Sequence, residues 1–136
     1  MIDSPEDNIS SIYDTVKSMA NLFKRRSGCG VDLSKLRPRG AIVNNSASTS
    51  TGSVSFLDIF SANAQVVGAD GRRAAQMISL SDRHLDVEEF IKVKSDLSKI
   101  PGANLSVMIS KELVDRAKAN QDWLLTFPVD DFELQY

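Results

Sequence analysis

The chain is poor in the residues that most often build a reactive centre. It has one cysteine, Cys29, so no disulfide can form within it. It has one histidine, His84. The two lie far apart in sequence without a supporting motif, which leaves no case for a Cys/His catalytic pair. A metal site would have to rest on carboxylates, and no carboxylate spacing asks for one. An excess of one charge is also missing. Lys and Arg number 16 against 18 Asp and Glu, a net charge of −2, so nothing argues for nucleic acid or an anionic membrane. The longest apolar runs, such as Trp123-Leu124-Leu125, fall far short of the ~20 residues of a membrane helix. The N-terminus, Met1-Ile2-Asp3-Ser4-Pro5-Glu6-Asp7, is acidic and lacks the basic and apolar parts of a signal peptide. The expectation is a soluble, cytoplasmic protein. At 136 residues, with 42% apolar and 25% charged residues, the chain has the size and composition of one ordinary domain.

What is present is a regular alternation of patterns. Ile9, Ile12, Tyr13, Val16, Met19, Ala20 and Phe23 recur at helical spacing. Asp7 or Asn8 can cap that helix, Lys24-Arg25-Arg26 suits its negative end, and Ser27-Gly28-Cys29-Gly30 stops it. Val31-Asp32-Leu33 reads as a short strand. Residues 35–52 form a long polar connection rich in Ser and Asn, for which a flexible linker is one reading. Val54, Leu57, Phe60, Ala64 and Val67 predict a second amphipathic helix, broken by Gly68-Ala69-Asp70-Gly71-Arg72-Arg73. A buried strand follows over residues 74–80. Asp86-Val87-Glu88-Glu89 fits a capping box opening a helix to about Lys94. After the Pro101-Gly102 turn, Leu105, Val107 and Ile109 alternate as a strand. Ser110 caps a helix to Ala119, and residues 123–127 read as a last strand. Alternation of this kind points to an α/β architecture with parallel neighbours. Neither an internal repeat nor a heptad pattern is present.

Several of these segments also resemble a known family. GCGVDLSKLRPRG, NNSASTSTG, SFLDIF, GRR, RHLDVEEFI and GANLSV occur in one order, with spacing like that of the large, catalytic subunit of ribonucleotide reductase. The Arg-Pro-Arg-Gly and Gly-Arg-Arg forms look most like the adenosylcobalamin-dependent and related bacterial or phage enzymes. The resemblance implies a ten-stranded α/β barrel with mainly parallel strands, of which residues 1–136 would be a single partial domain. Its few strands cannot close a barrel, so an edge would be left unpaired. It also implies conversion of ribonucleotides to deoxyribonucleotides for DNA synthesis, by a cysteine thiyl radical and a redox cysteine pair. Cys29 stands where the family places none of its three cysteines. The redox cysteine would fall just before Met1 and the radical cysteine beyond Tyr136. Hence no catalytic residue is expected here, and this chain alone is expected to be inactive.

By the same resemblance, what the chain holds is recognition machinery. Asp7 corresponds to an acidic residue that accepts a hydrogen bond from the effector ribose. Asn8 and Ile9 follow at a helix start with free backbone amides. Arg37 corresponds to an effector-phosphate arginine, and Asn44 stands where some relatives have a basic residue. Residues 35–50 and 67–75 would be two specificity loops. Gly28 would line the substrate ribose, where the missing side chain permits close approach, and Arg73 would reach toward the substrate. The implied partners are a ribonucleotide substrate, a deoxynucleotide or ATP effector, a second copy in a homodimer, and a radical source. That source would be adenosylcobalamin or a metal-containing small subunit, neither bound by this segment.

Each residue also has a plainer reading. Asp7 could be only a helix cap, Arg72-Arg73 a solvated pair, and Arg37 and Arg39 surface charges. His84 reads as structural, Trp123 and the methionines as core, and Cys29 as a small packed residue. The alternative for the whole chain is a stand-alone, non-catalytic nucleotide-binding or dimerisation module.

Overall fold

In the structure, a computed structural model describing residues 1–43, 48–68 and 74–129, four helices alternate with three strands. Helix α1 (Ile9–Lys24) begins where the pattern places it. Asn8, not Asp7, is its cap: the Asn8 Oδ1 accepts from the Ser11 amide at 2.8 Å. Ile12, Met19 and Phe23 are nearly or completely buried, each worth about 1.5–3 kcal/mol in apolar transfer. The inward stripe of α1 is therefore already covered within the chain. Only Ile9 and Tyr13 of its large apolar residues stay exposed, at 59% and 51%.

Strands β1 (Cys29–Asp32), β2 (Gln76–Ser81) and β3 (Asn104–Met108) form one parallel sheet in the order β1-β2-β3. Its register sets Val31 beside Ile78 and Ile78 beside Leu105. Parallel neighbours need long crossovers. Helix α2 (Leu57–Val66), entered through a 3-10 turn at Val54–Phe56, lies in the first crossover. Helix α3 (Val87–Lys92), continued by a 3-10 turn at Val93–Ser95, lies in the second. Helix α4 (Lys111–Lys118) follows β3, and its cap Ser110 accepts from the Leu113 amide as the sequence predicts. Gln76, Ile78 and Leu80 share one face of β2, and the Gln76 Nε2 donates to the Phe60 carbonyl of α2, so this is the face that the helices cover. Phe23, Phe60, Phe90, Leu33, Leu36 and Leu57 fill the core.

The α/β class and the parallel strands agree with expectation, and the three-stranded sheet is not closed into a barrel. Four expectations are corrected. Residues 123–127 are not a strand: among the described residues their one backbone bond to the rest of the fold runs from the Thr126 amide to the Arg83 carbonyl. Trp123 instead lays its ring under the Arg83 guanidinium and donates through Nε1 to the Asp82 carbonyl, so side chains hold this strap. Trp123 is accordingly only partly buried. Of the methionines only Met19 is core, because Met77 and Met108 lie on the sheet face away from the helices and Met1 is 90% exposed. Asp86 precedes α3 but makes no side-chain capping bond to it. No helix among the described residues is long and apolar enough to cross a membrane.

Candidate functional site

The polar connection over residues 35–52 carries real structure. Gly40 donates to the Ser50 carbonyl, Ser50 to Ala41, and Val43 to Ser48, at 2.8–3.1 Å. An antiparallel bridge pairs Ile42 with Thr49. This excludes the flexible-linker reading for the described part of the loop. Gly40 and Gly52 permit the turns at its ends, with φ of +82° and +88°.

The loop closes over the start of α1 to form a cleft of about 320 Å³, within the range of small-molecule sites. Asp7, Asn8, Ile9 and Ile12 line it from the helix side. Arg37, Val43 and residues 49–51 line it from the loop, with Phe56 adding an aromatic wall. Asp7 and Arg37 are 30 positions apart in sequence, yet the Asp7 Oδ1 accepts from the Arg37 backbone amide at 3.0 Å and its Oδ2 from the Arg37 Nε at 2.8 Å. Both side chains are about one-third exposed, at 32% and 34%, so the pair faces the cleft while staying wet. Asn8 spends its carboxamide oxygen on the helix cap, and Ile9 is exposed at the rim.

The structure thus brings Asp7, Asn8, Ile9 and Arg37 together and rules out two plain readings. Asp7 is not the helix cap, and Arg37 is an organised ion pair rather than a loose surface charge. Asn44 and Arg73 lie outside the described residues, as does Arg72. Gly28 lies elsewhere, at the start of β1, and does not line the cleft. A Cβ there would come within 3.2 Å of the Ala75 Cβ and carbonyl oxygen, and the Cys29 amide donates to that carbonyl. Gly28 thereby packs beside the end of the expected second loop. Val43, Thr49 and Ser50 lie within the expected first loop without having been singled out, and sequence reasoning missed Thr51 and Phe56 as lining residues. The run of hydroxyls before Gly52 was the available signal, since such side chains offer donors and acceptors to a polar ligand.

Other candidates do not form a reactive centre. Cys29 is half-buried, and burial pushes its thiol pKa up against a lesser lowering pull from the N-terminal amine. That is the reverse of an activated nucleophile. Among the described residues no group of three or more His, Cys, Asp or Glu could hold a metal ion. A broader depression of about 580 Å³ is lined by Arg39, Asp86, Glu89 and Lys92 among others. Arg39 and Glu89 already satisfy each other there through a bond of 2.6 Å.

Along residues 1–136 the sequence matches the family described as "Ribonucleotide reductase, barrel domain". The chain belongs to that family. It is 34% identical over 120 residues to a vitamin B12-dependent ribonucleoside-diphosphate reductase of Thermoplasma acidophilum, covering 87% of this chain and 16% of the relative. A B12-dependent enzyme of Mycobacterium tuberculosis is 33% identical over 117 residues, with 85% and 17% covered. The ribonucleoside-diphosphate reductase large chain of Cryptosporidium parvum is 30% identical over 130 residues, with 91% and 16% covered. The chain therefore spans about a sixth of the length of these relatives. Within the ribonucleotide reductase barrel family, the segments that carried the resemblance have physical duties here. Gly102 of GANLSV packs so tightly on Ser61 that a Cβ would overlap its carbonyl oxygen. His84 and Asp86 of RHLDVEEFI are buried and turn their polar atoms toward the loop.

Proposed function

We propose that this chain supplies the allosteric nucleotide cleft of a ribonucleoside reductase large subunit, with the cleft between α1 and residues 35–52 taking a deoxynucleotide or ATP effector. The observation that carries this is the convergence of Asp7, Asn8, Ile9 and Arg37 on one cleft. Each Asp7 oxygen accepts one bond from Arg37 and keeps acceptor capacity for a sugar hydroxyl. The Arg37 guanidinium offers charge-assisted donors to phosphate. Ile9, Ile12, Val43 and Phe56 supply apolar walls suited to a base, and the amides opening α1 favour an anion. Asn44 is assigned to the same effector. Gly28 and Arg73 are assigned to the ribonucleotide substrate.

In this reading residues 1–136 are one partial domain, and the three parallel strands are part of a ten-stranded barrel completed by other chain. The exposed Ile9 and Tyr13 of α1 are the apolar remainder available to a homodimer contact. The radical source, adenosylcobalamin or a small radical-generating subunit, is assigned outside this segment. The similarity to B12-dependent relatives favours the former.

The test is direct binding of dATP, dTTP and ATP, by calorimetry, to the chain and to its Asp7→Ala and Arg37→Ala variants. Loss of one charge-assisted hydrogen bond is worth on the order of 1.5–3 kcal/mol, or about ten- to a hundred-fold in Kd. In a complete enzyme carrying this segment, Arg73→Ala should instead reduce the effector's influence on substrate choice. Absence of saturable binding, or binding indifferent to both Asp7 and Arg37, would refute the assignment.

A further inference from the structure

Residues 84–89 touch the loop at three places without lining the cleft. Asp86 is 5% exposed and stands where a helix cap would. Its carbonyl accepts from the Phe90 amide at 2.9 Å, yet neither oxygen of its side chain bonds α3. Oδ1 accepts from the Arg39 amide at 3.0 Å, and Oδ2 accepts from both the amide and the Oγ of Ser53 at 2.9 Å. One carboxylate thereby gathers the two ends of the segment that forms the cleft's loop wall. Fully buried His84 adds a third tie. Its Nδ1 accepts from the Asp86 amide at 3.0 Å, so its proton sits on Nε2, which donates to the Leu36 carbonyl at 2.6 Å. Glu89 holds the Arg39 guanidinium through two bonds of 2.6 and 3.1 Å. Arg37 therefore lies between two fastened residues, Leu36 and, beyond Pro38, Arg39, and its own side chain bonds Asp7 at 2.8 Å. Residues 49–51 end two positions before Ser53, which Asp86 holds.

We propose that Asp86, braced by His84, is a positioning residue for the nucleotide cleft, setting Arg37 and the hydroxyl-bearing lip at residues 49–51 without contacting the ligand. The inference rests on the effector reading above. A carboxylate is suited to this because it accepts several donors at once and donates none. Two oxygens holding three donors fix the separation of Arg39 and Ser53 to within hydrogen-bond tolerance, and binding sites depend on such support. An amide in its place can accept well on one oxygen only.

The test compares Asp86→Asn with Phe60→Leu, which loosens the core away from the loop ties. Kd for dATP and dTTP is measured under conditions where each variant is fully folded, alongside amide hydrogen exchange. Asp86→Asn is expected to raise Kd about tenfold and to speed exchange at the Arg39 and Ser53 amides. Phe60→Leu should lower the denaturant midpoint and leave Kd unchanged. Ser53→Ala removes only the Oγ bond and should raise Kd about two- to fivefold, which keeps the inference testable if Asp86→Asn does not fold. Unchanged Kd in both loop variants, or an equal rise in Phe60→Leu, overturns the positioning role. If the unsubstituted chain binds neither nucleotide, the effector reading itself fails. Exchange then decides the anchoring alone, and unaltered protection at Arg39 and Ser53 in Asp86→Asn overturns it.

Discussion

Replacing Gly52 by alanine tests the loop's construction at its tightest point. Gly52 is buried, with φ of +88°, and an L-residue in the left-handed region costs about 1–2 kcal/mol. The added Cβ would also lie 2.8 Å from the Arg39 nitrogen, 2.9 Å from the Arg39 Cβ and 2.9 Å from the Asp86 Oδ2. None of these is the loose end of a flexible side chain. One is backbone, one is a Cβ, and the third belongs to a buried carboxylate already holding three donors. Overpacking at such a site adds about 1–3 kcal/mol, for a total of about 2–5 kcal/mol. Gly40→Ala is the natural control. Its φ is +82°, but nothing lies within 4 Å of the added atom, so it incurs only the conformational cost. Urea unfolding can be followed by the fluorescence of Trp123, the single tryptophan. With a slope of about 1–3 kcal/mol per molar urea, Gly52→Ala should lower the midpoint by roughly 1–3 M, distinctly more than Gly40→Ala. Equal midpoints for the two variants would show that the Arg39–Gly52–Asp86 contact carries no weight, and the account of the loop would be wrong.

Three further outcomes are expected. Gly102→Ala should destabilise by about 3 kcal/mol or more, because its Cβ collides with the Ser61 carbonyl and displaces the Gly102 amide from the Ser61 Oγ at 2.9 Å; thermal unfolding measures this, and a near-neutral result would contradict the packing. Cys29 should react slowly with iodoacetamide in the folded chain and readily in urea, since burial raises its pKa. Its folded-state pKa lies above the unfolded one, so its contribution to stability is present below the ordinary thiol range and is lost as pH rises through the folded value. Cys29→Ser should remove that alkaline slope, and an unchanged slope would assign it to other groups. The chain alone should form no deoxyribonucleotide in an assay with dithiothreitol and either adenosylcobalamin or a small subunit, because one cysteine cannot act as both radical carrier and redox pair; turnover that vanishes in Cys29→Ser would reverse this conclusion.

Periodic patterns were the most legible feature. Helix α1 follows from Ile12, Met19 and Phe23 at helical spacing, and β2 from a short, mostly apolar run over residues 74–80, within which the strand occupies Gln76–Ser81. Such patterns are readable because they record a local repeat meeting one buried face. The ends of elements were less legible. A cap depends on which acceptor reaches which amide, and Asp7 and Asn8 were interchangeable on paper. Residues 123–127 have a strand's composition but hold on through Trp123 and Arg83 instead of a ladder.

By itself, the sequence determined the α/β class, the order of the first seven elements, the family, and a cysteine count of one. All of these are carried by local periodicity, by motifs in order, or by counting. Tertiary structure alone decided that Asp7 and Arg37 pair, that residues 49–51 and Phe56 complete their cleft, and that Asp86 serves a distant loop instead of its own helix. The Asp7–Arg37 and Asp86–Ser53 contacts join residues 30 and 33 positions apart, and the cleft gathers residues from separate segments. A contact of that range depends on how crossovers return the chain over the sheet, and no spacing within a single segment encodes it.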